Sequence, residues 1–195
     1  MLNKNGVKQK IGVFGGTFNP PHIGHILVAE TALRELKLDK LIIVPAGTPP
    51  HKELPNSTPS SQTRFELTSL AFKHVPNIII SDIEILKQEA SYAIDTVNSI
   101  YDENPNVSIY LIMGTDMYLT LDTWKEAEKL LSLVVPVVFA RYTDDYKSIN
   151  DYSIFLKNRF GVSTEVIANQ IIEVSSSGLR NMLPLRKGAE YVNSH

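Results

Sequence analysis

The segment Ile11–His25 reads IGVFGGTFNPPHIGH, and it decides how the rest of the chain is interpreted. A short apolar run, Ile11–Phe14, leads into Gly15 and Gly16, then a polar turn, then a predicted helix over Gly24–Leu36. Glycines directly after a buried strand let a ligand approach the backbone closely. The segment is not the dinucleotide fingerprint, because the third glycine and the spacing are missing. It is not a Walker loop either, because no Lys-Ser/Thr follows the last glycine.

The pair His22 and His25 is the first candidate site. Histidines three residues apart on the first turn of a helix lie on one face. The helix N-terminus adds N–H groups and the positive end of the helix dipole, so the pair can bind phosphate oxygens. Two other interpretations stay open at this point: a pair of ordinary surface histidines, and half of a metal site, for which zinc would need further ligands.

The apolar pattern along the chain alternates between short runs rich in Val, Ile and Leu and longer helical segments. Continuous apolar runs are typical of strands buried on both faces, and strand–helix–strand connections imply right-handed crossovers. The sequence therefore predicts an α/β fold with a doubly wound, mostly parallel sheet, formed by a single domain over residues 1–195. The predicted strands are Ile11–Phe14, Leu41–Val44, Asn77–Ile80, Val107–Met113 and Val134–Phe139. The predicted helices are Gly24–Leu36, Ser61–His74, Tyr92–Tyr101, Thr123–Leu131 and Tyr152–Phe160.

Two long loops are predicted, Pro45–Ser60 and Tyr142–Asp151. In open α/β sheets, ligands bind beyond the carboxyl ends of the strands. The first loop follows a strand directly, so we expect it to form a wall of the site.

A second candidate site lies near the C-terminus, where Val174–Met182 reads VSSSGLRNM. Serine is a preferred N-cap, so a helix is predicted to begin at about Ser177, with Arg180 on its first turn. A serine hydroxyl, helix N–H groups and a guanidinium would then converge on one anion. Taken alone, the motif favours an ordinary capped helix whose arginine is solvated over an anion site.

Composition excludes several classes of protein. The chain is 43% hydrophobic and 21% charged, with a net charge of −2, which does not indicate a nucleic-acid-binding surface. It has no cysteine, which excludes disulfides, thiolate metal sites and a cysteine nucleophile. No apolar stretch approaches the length of a membrane span, and Met1–Lys10 is too polar for a signal peptide. We expect a cytoplasmic protein without membrane or nucleic-acid partners, and a homo-oligomer is compatible with the sequence.

Taken together, the motifs resemble the nucleotidyltransferase superfamily marked by a (H/T)xGH motif after strand one and a Ser-Ser-Thr-x-(Ile/Leu)-Arg-like motif near the end. Within it, the chain is most similar to bacterial nicotinate-nucleotide adenylyltransferases. The residues that carry the resemblance occur in family order: Gly15–His25, Pro49-Pro50-His51-Lys52, Ser91–Thr96, Gly114-Thr115-Asp116, Trp124 and Ser175–Arg180.

The resemblance implies a Rossmann-like fold and transfer of AMP from ATP to nicotinate mononucleotide, in NAD biosynthesis. It implies that His22, His25 and Arg180 are catalytic. It implies an ATP site formed by Gly15, Gly16, Thr17, Phe18, His22, His25, Gly114, Asp116, Ser176, Ser177 and Arg180. It implies an acceptor site formed by Thr17, His51, Lys52, Tyr92, Ala93 and Trp124, with the indole stacked on the pyridine ring.

One divalent cation, Mg²⁺, is expected with ATP. It would be held mainly by phosphates and water, so no dedicated metal site is expected in the protein. Three alternatives remain at the level of sequence. They are transfer to another phosphorylated acceptor such as phosphopantetheine, a nucleotide-binding regulatory module without turnover, and a metal-binding protein that uses His22, His25 and His51.

Overall fold

A computed structural model describes residues 8–47, 58–87, 90–140, 142–168, 176–182 and 191–192. Its six strands form one sheet in the order β3-β2-β1-β4-β5-β6, and every pair of neighbours is parallel. The strands are β1 Lys10–Gly16, β2 Lys40–Pro45, β3 Ile78–Ile80, β4 Ser108–Gly114, β5 Val134–Ala140 and β6 Glu165–Ala168. The predicted doubly wound α/β fold is therefore confirmed.

Seven α-helices are described, and a short 3₁₀-helix, Leu121–Thr123, lies between the fourth and the fifth. They are α1 Ile23–Glu35, α2 Ser61–Phe72, α3 Ala93–Glu103, α4 Thr115–Tyr118, α5 Ala127–Leu133, α6 Asp145–Phe160 and α7 Ser176–Met182. No helix in these parts of the chain is long and apolar enough to cross a bilayer.

The sheet separates two hydrophobic cores, and alternate residues of each central strand enter opposite ones. In β2, Ile42 and Val44 belong to one core while Leu41 and Ile43 belong to the other. This follows from the two-residue period of a strand. It explains why the central strands are apolar at almost every position.

Helices cover both faces of the sheet. The core that contains Ile42 and Val44 also receives α3, α5 and α6, through Val97, Leu130 and Ile149 among others. The opposite core receives α1 and α2, through buried side chains such as Ala29 and Phe72.

Four details of the sequence prediction were wrong. The segment Tyr142–Asp151 is not a loop, because α6 already begins at Asp145: its polar side chains face solvent while Ile149 and Leu156 are buried seven residues apart. The helix predicted over Thr123–Leu131 is instead the 3₁₀-helix followed by α5, separated by Glu126 in a left-handed conformation at φ 52°.

Two elements were missed. Strand β6 is an edge strand of four residues in which only Ile167 is buried, so it lacks the apolar run that identifies a central strand. Helix α4 is a single turn, too short for a periodic pattern.

Candidate active site

The site lies where the strand order changes direction. β1 pairs with β2 on one side and with β4 on the other, so the chain winds away from the boundary between β1 and β4 in both directions. Gly16 ends β1 and Gly114 ends β4, at the carboxyl edge of the sheet. This crevice is where open α/β sheets bind ligands. Gly15 is exposed, and a Cβ added there would meet no atom within 4 Å, so its backbone is open to a ligand.

The turn after β1 is built around Phe18. Its φ of 47° lies in the left-handed region, and its side chain is 1% exposed. The ring contacts Phe14 with centroids 5.7 Å apart and His25 with centroids 4.9 Å apart. The Phe18 ring therefore packs against the His25 ring. Because the Phe18 side chain is buried, only its backbone is accessible to a ligand.

His22 and His25 lie at the start of α1, as predicted. His22 is the N-cap residue, and the two rings stack with centroids 3.7 Å apart. The backbone N–H of His22 donates to Nδ1 of His25 at 3.1 Å. A ring nitrogen that accepts a hydrogen bond carries no proton, so the proton of the neutral His25 imidazole is on Nε2. His22 is only 6% exposed, so His25 is the more accessible of the pair.

The C-terminal motif docks onto this same turn. Ser176 Oγ donates to the carbonyl of Pro20 at 2.9 Å, and Arg180 Nη1 donates to the carbonyl of Asn19. Arg180 Nη2 also donates to Ser177 Oγ at 2.8 Å. Residues more than 150 positions apart thus meet at the turn before α1, which brings the two predicted motifs together.

Gly114 and Asp116 lie beside that crevice, at the junction of β4 and α4. Gly114 is the N-cap of α4, and Asp116 is exposed on its first turn. Thr115 between them is 5% exposed, and its hydroxyl donates to Asp145 Oδ2 at 2.7 Å. The same carboxylate oxygen accepts from the N–H of Tyr142 at 3.1 Å, which ties the start of α6 to this junction. Sequence reasoning missed Asp145 because it fell in a predicted loop.

The predicted acceptor residues Tyr92, Ala93 and Trp124 lie on two adjoining segments. Tyr92 is the N-cap of α3 and Ala93 its first residue. Lys125, next to Trp124, has its ammonium 4.4 Å from the centre of the Tyr92 ring and 3.3 Å from Asp95 Oδ2. Trp124 and Tyr92 are both partly buried against the same hydrophobic core. His51 and Lys52 lie outside the described residues.

The backbone carbonyl of Thr17 is held by Arg64, a residue that sequence reasoning missed. Arg64 of α2 is 1% exposed and donates to the carbonyl of Thr17 at 2.8 Å. It also donates to the carbonyls of Ala46 and Gly47 at 2.6 and 3.1 Å, and burial lowers the pKa of its guanidinium. The sequence gives no signal for this role, because Arg64 shares the buried face of α2 with Thr68 and Phe72 only in the folded structure.

This chain is similar to known proteins over most of its length. A family model described as cytidylyltransferase-like matches residues 13–181. A protein of Carboxydothermus hydrogenoformans is 35% identical over 174 residues, which cover 89% of this chain and 86% of that protein. A protein of Clostridium botulinum (strain Alaska E43) is 32% identical over 183 residues, 94% of this chain and 90% of its own. Both are named "probable nicotinate-nucleotide adenylyltransferase".

The chain belongs to the nicotinate-nucleotide adenylyltransferase family. It is therefore an enzyme of the nucleotidyltransferase class, and the family predicted from the motifs is confirmed. The fold agrees as well. The nicotinic acid mononucleotide adenylyltransferase of Plasmodium falciparum complexed with NaAD matches with a TM-score of 0.70 at 18% identity. That match covers 90% of this chain and 84% of the Plasmodium chain.

Among the residues that the structure describes, no group of three or more His, Asp or Glu side chains could hold an ion. The donors gathered at the β1–α1 turn are imidazole, hydroxyl and guanidinium groups, which suit phosphate oxygens rather than Mg²⁺.

Proposed function

We propose that this chain transfers AMP from ATP to nicotinate mononucleotide at the crevice between β1 and β4. A phosphate oxygen of the acceptor attacks the α-phosphorus of ATP and forms the new P–O bond. The bond from the α-phosphorus to the bridging oxygen breaks, and pyrophosphate leaves with that electron pair. The products are nicotinate adenine dinucleotide and pyrophosphate.

The observation that carries this proposal is the docking of α7 onto the β1–α1 turn. Its hydrogen bonds to Asn19 and Pro20 bring the C-terminal motif to the segment just before the histidine pair, although more than 150 residues separate the two motifs. Phosphoryl-type transfer needs little covalent help from the protein, and positioning and charge stabilisation do most of the work. A guanidinium fork and hydroxyls from α7, together with an imidazole N–H at the start of α1, would supply both.

On the ATP side, His25 would donate through Nε2–H to the α-phosphate and stabilise the charge that develops there. Arg180, Ser176 and Ser177 would hold the β- and γ-phosphates that leave as pyrophosphate. Gly114 and Asp116 would line the adenosine pocket. The contacts of the Arg180 guanidinium with Asn19 and Ser177 support this assignment, because they hold it in place before ATP arrives.

On the acceptor side, Thr17, His51 and Lys52 would surround the acceptor phosphate. Trp124 would stack on the pyridine ring, and backbone N–H groups at Tyr92 and Ala93 would meet the ring carboxylate. The position of Ala93 supports the last role, because first-turn N–H groups of a helix have no acceptor within the helix.

Mg²⁺ would reach the site bound to ATP, held mainly by phosphates and water. When bound, it neutralises charge on the triphosphate and so assists departure of pyrophosphate. We also propose that residues 1–195 form a single nucleotidyltransferase domain that acts in the cytoplasm, without nucleic-acid partners.

Pyrophosphate release tests the proposal. The protein would be mixed with ATP, Mg²⁺ and one of three acceptors: nicotinate mononucleotide, nicotinamide mononucleotide or phosphopantetheine. We expect fast release with the first and much slower release with the other two. Turnover with phosphopantetheine and with neither mononucleotide would show that the proposed acceptor is wrong. ATP binding without pyrophosphate release, whichever acceptor is added, would indicate a regulatory module.

A further inference from the structure

Arg64 is the most deeply buried charged residue of the described chain, and it makes no ion pair within that part. Its guanidinium instead donates to the backbone carbonyls of Thr17, Ala46 and Gly47. These carbonyls follow β1 and β2, two neighbouring strands. A buried guanidinium without a carboxylate is costly, and carbonyl hydrogen bonds compensate only part of that cost. Such an arrangement is expected where the relative positions of two backbone segments must be fixed.

Gly47 connects Arg64 to the segment after β3. Its carbonyl accepts from Arg64 at 3.1 Å, and its backbone lies against Glu84, a partly buried residue of that segment. Glu84 also accepts from the hydroxyl of Thr96 in α3 at 2.8 Å. A Cβ on Gly47 would overlap the backbone carbonyl of Glu84, so the two segments approach as closely as a glycine allows.

Apart from Thr17, which the resemblance assigns to both halves of the proposed site, this network contacts residues of the acceptor half. Thr17 belongs to the proposed phosphate pocket of the acceptor. Gly47 precedes His51 by four residues in the sequence, and Thr96 lies three residues after Ala93 at the start of α3. Within the described part of the chain, the side-chain hydrogen bonds of Arg64 and Glu84 do not reach the His22–His25 pair, Gly114 or α7.

We propose that Arg64 and Glu84, joined through the Gly47 peptide, are positioning residues that set the acceptor-binding half of the site independently of the ATP-binding half. The inference rests on the proposed function. Neither residue touches substrate. Their effect is to fix Thr17, the exit of β2 and the start of α3 relative to one another, so that the acceptor phosphate and ring are held in line with the α-phosphorus.

The test compares two threonine-to-valine variants. Thr96→Val removes a helical i−4 hydrogen bond to the Tyr92 carbonyl together with the bond to Glu84. Thr68→Val, at an equally buried position, removes only an i−4 bond, to the carbonyl of Arg64. We expect Thr96→Val to raise the acceptor KM about tenfold, with the ATP KM unchanged, and Thr68→Val to change neither.

Arg64→Lys provides a second measurement. The lysine keeps the positive charge but lacks the planar guanidinium that donates to the segments after β1 and β2 at the same time. We expect the acceptor KM to rise more than the ATP KM, and circular dichroism would show that the variant is folded. Equal changes in both KM values, or equal effects of Thr96→Val and Thr68→Val, would overturn the inference.

Failure of the inference is distinguishable from failure of the proposed function. If the unmodified protein does not release pyrophosphate with nicotinate mononucleotide, the proposed function is wrong. If it does, and the variants show no split between the two KM values, then the function stands and the positioning role is wrong.

Discussion

The imidazole of His25 has two neighbours that fix its orientation. Its Nδ1 accepts a hydrogen bond from the backbone N–H of His22, and the Phe18 ring packs against the imidazole. A side chain held in this way loses little conformational entropy when a phosphate binds. Gly15, at the end of β1, is exposed, and a Cβ there would meet no atom within 4 Å, so the backbone before the histidine pair is accessible.

We expect His25→Ala to lower kcat by about 10²–10³ with a much smaller change in acceptor KM. The physical reason is that the Nε2–H contact strengthens as charge develops on the α-phosphate. Steady-state pyrophosphate release measures both constants. His74→Ala, an exposed histidine after α2, is the matched control. Unchanged turnover in His25→Ala would remove this residue from the mechanism.

The carboxyl of Glu84 gives a pH-dependent prediction about stability. Burial raises its pKa from the ordinary value of 4.5, although hydrogen bonds from Thr96 and Gly47 oppose the shift. A raised pKa in the folded state means that the folded protein binds the proton more tightly than the unfolded chain. The free energy of unfolding therefore falls as pH rises from the unfolded pKa through the folded pKa.

The Glu84→Gln side chain stays neutral at every pH. We therefore expect the free energy of unfolding of this variant, minus that of the unmodified protein, to increase as pH rises from the unfolded to the folded pKa of Glu84, and then to level off. Urea denaturation at a series of pH values from 4 upward measures the difference. Glu66→Gln, on the exposed face of α2, is expected to show no such trend. A difference that is constant with pH would show that burial does not shift this group.

At the scale of elements, α7 is held to the β1–α1 turn by side-chain contacts from Ser176 and Arg180 to backbone carbonyls. The helix has only seven residues, so its own hydrogen bonds do not make it stable in isolation. Leu179, which is 1% exposed, anchors it on the body of the protein. The position and the orientation of the C-terminal motif are therefore set by the contacts of α7 with the rest of the protein.

We expect Arg180→Lys to raise the ATP KM roughly tenfold or more, because an ammonium cannot reach Asn19, Ser177 and a phosphate together. The acceptor KM is expected to change little, the opposite of the Arg64→Lys pattern. Initial rates with each substrate varied in turn give both values. Arg159→Lys, an exposed arginine at the end of α6, serves as control. A larger effect on the acceptor than on ATP would contradict the assignment.

At the scale of the whole molecule, stability depends on two cores that share one sheet. Each central strand contributes alternate side chains to both, so a helix lost from one face would expose the sheet there. Helix α6 shows this most directly, because its N-terminal half looked like a loop and yet buries Ile149.

We expect Ile149→Ala to lower the free energy of unfolding by about 2–5 kcal/mol. Ile149 is 1% exposed, so the truncation leaves a cavity. Ile154→Ala on the same helix, at a side chain that is 52% exposed, should stay within about 0.5 kcal/mol. Equilibrium denaturation in urea measures both. Similar losses in the two variants would mean that α6 does not pack as described.

Much of the fold could be predicted because the signals are local. Strands β1, β2, β4 and β5 are apolar on both faces, and α1 and α2 begin within one residue of their predicted positions. Strand β6 and helix α4 could not be predicted, because four residues carry neither an apolar run nor a full helical period. The polar start of α6 was hidden for a related reason: its buried residues are too widely spaced to outweigh the polar ones.

The sequence by itself determined the family, the central strands and the two motifs at His22–His25 and Ser176–Arg180, since each depends on neighbouring residues. Only the tertiary structure decided that these motifs meet, and that Arg64 lies beneath Thr17 and Gly47. Such contacts join residues far apart in the chain, and their positions follow from how the sheet orders its strands. Periodicity and spacing carry no information about that order, so a buried arginine in α2 looks like any helical arginine until the sheet is assembled.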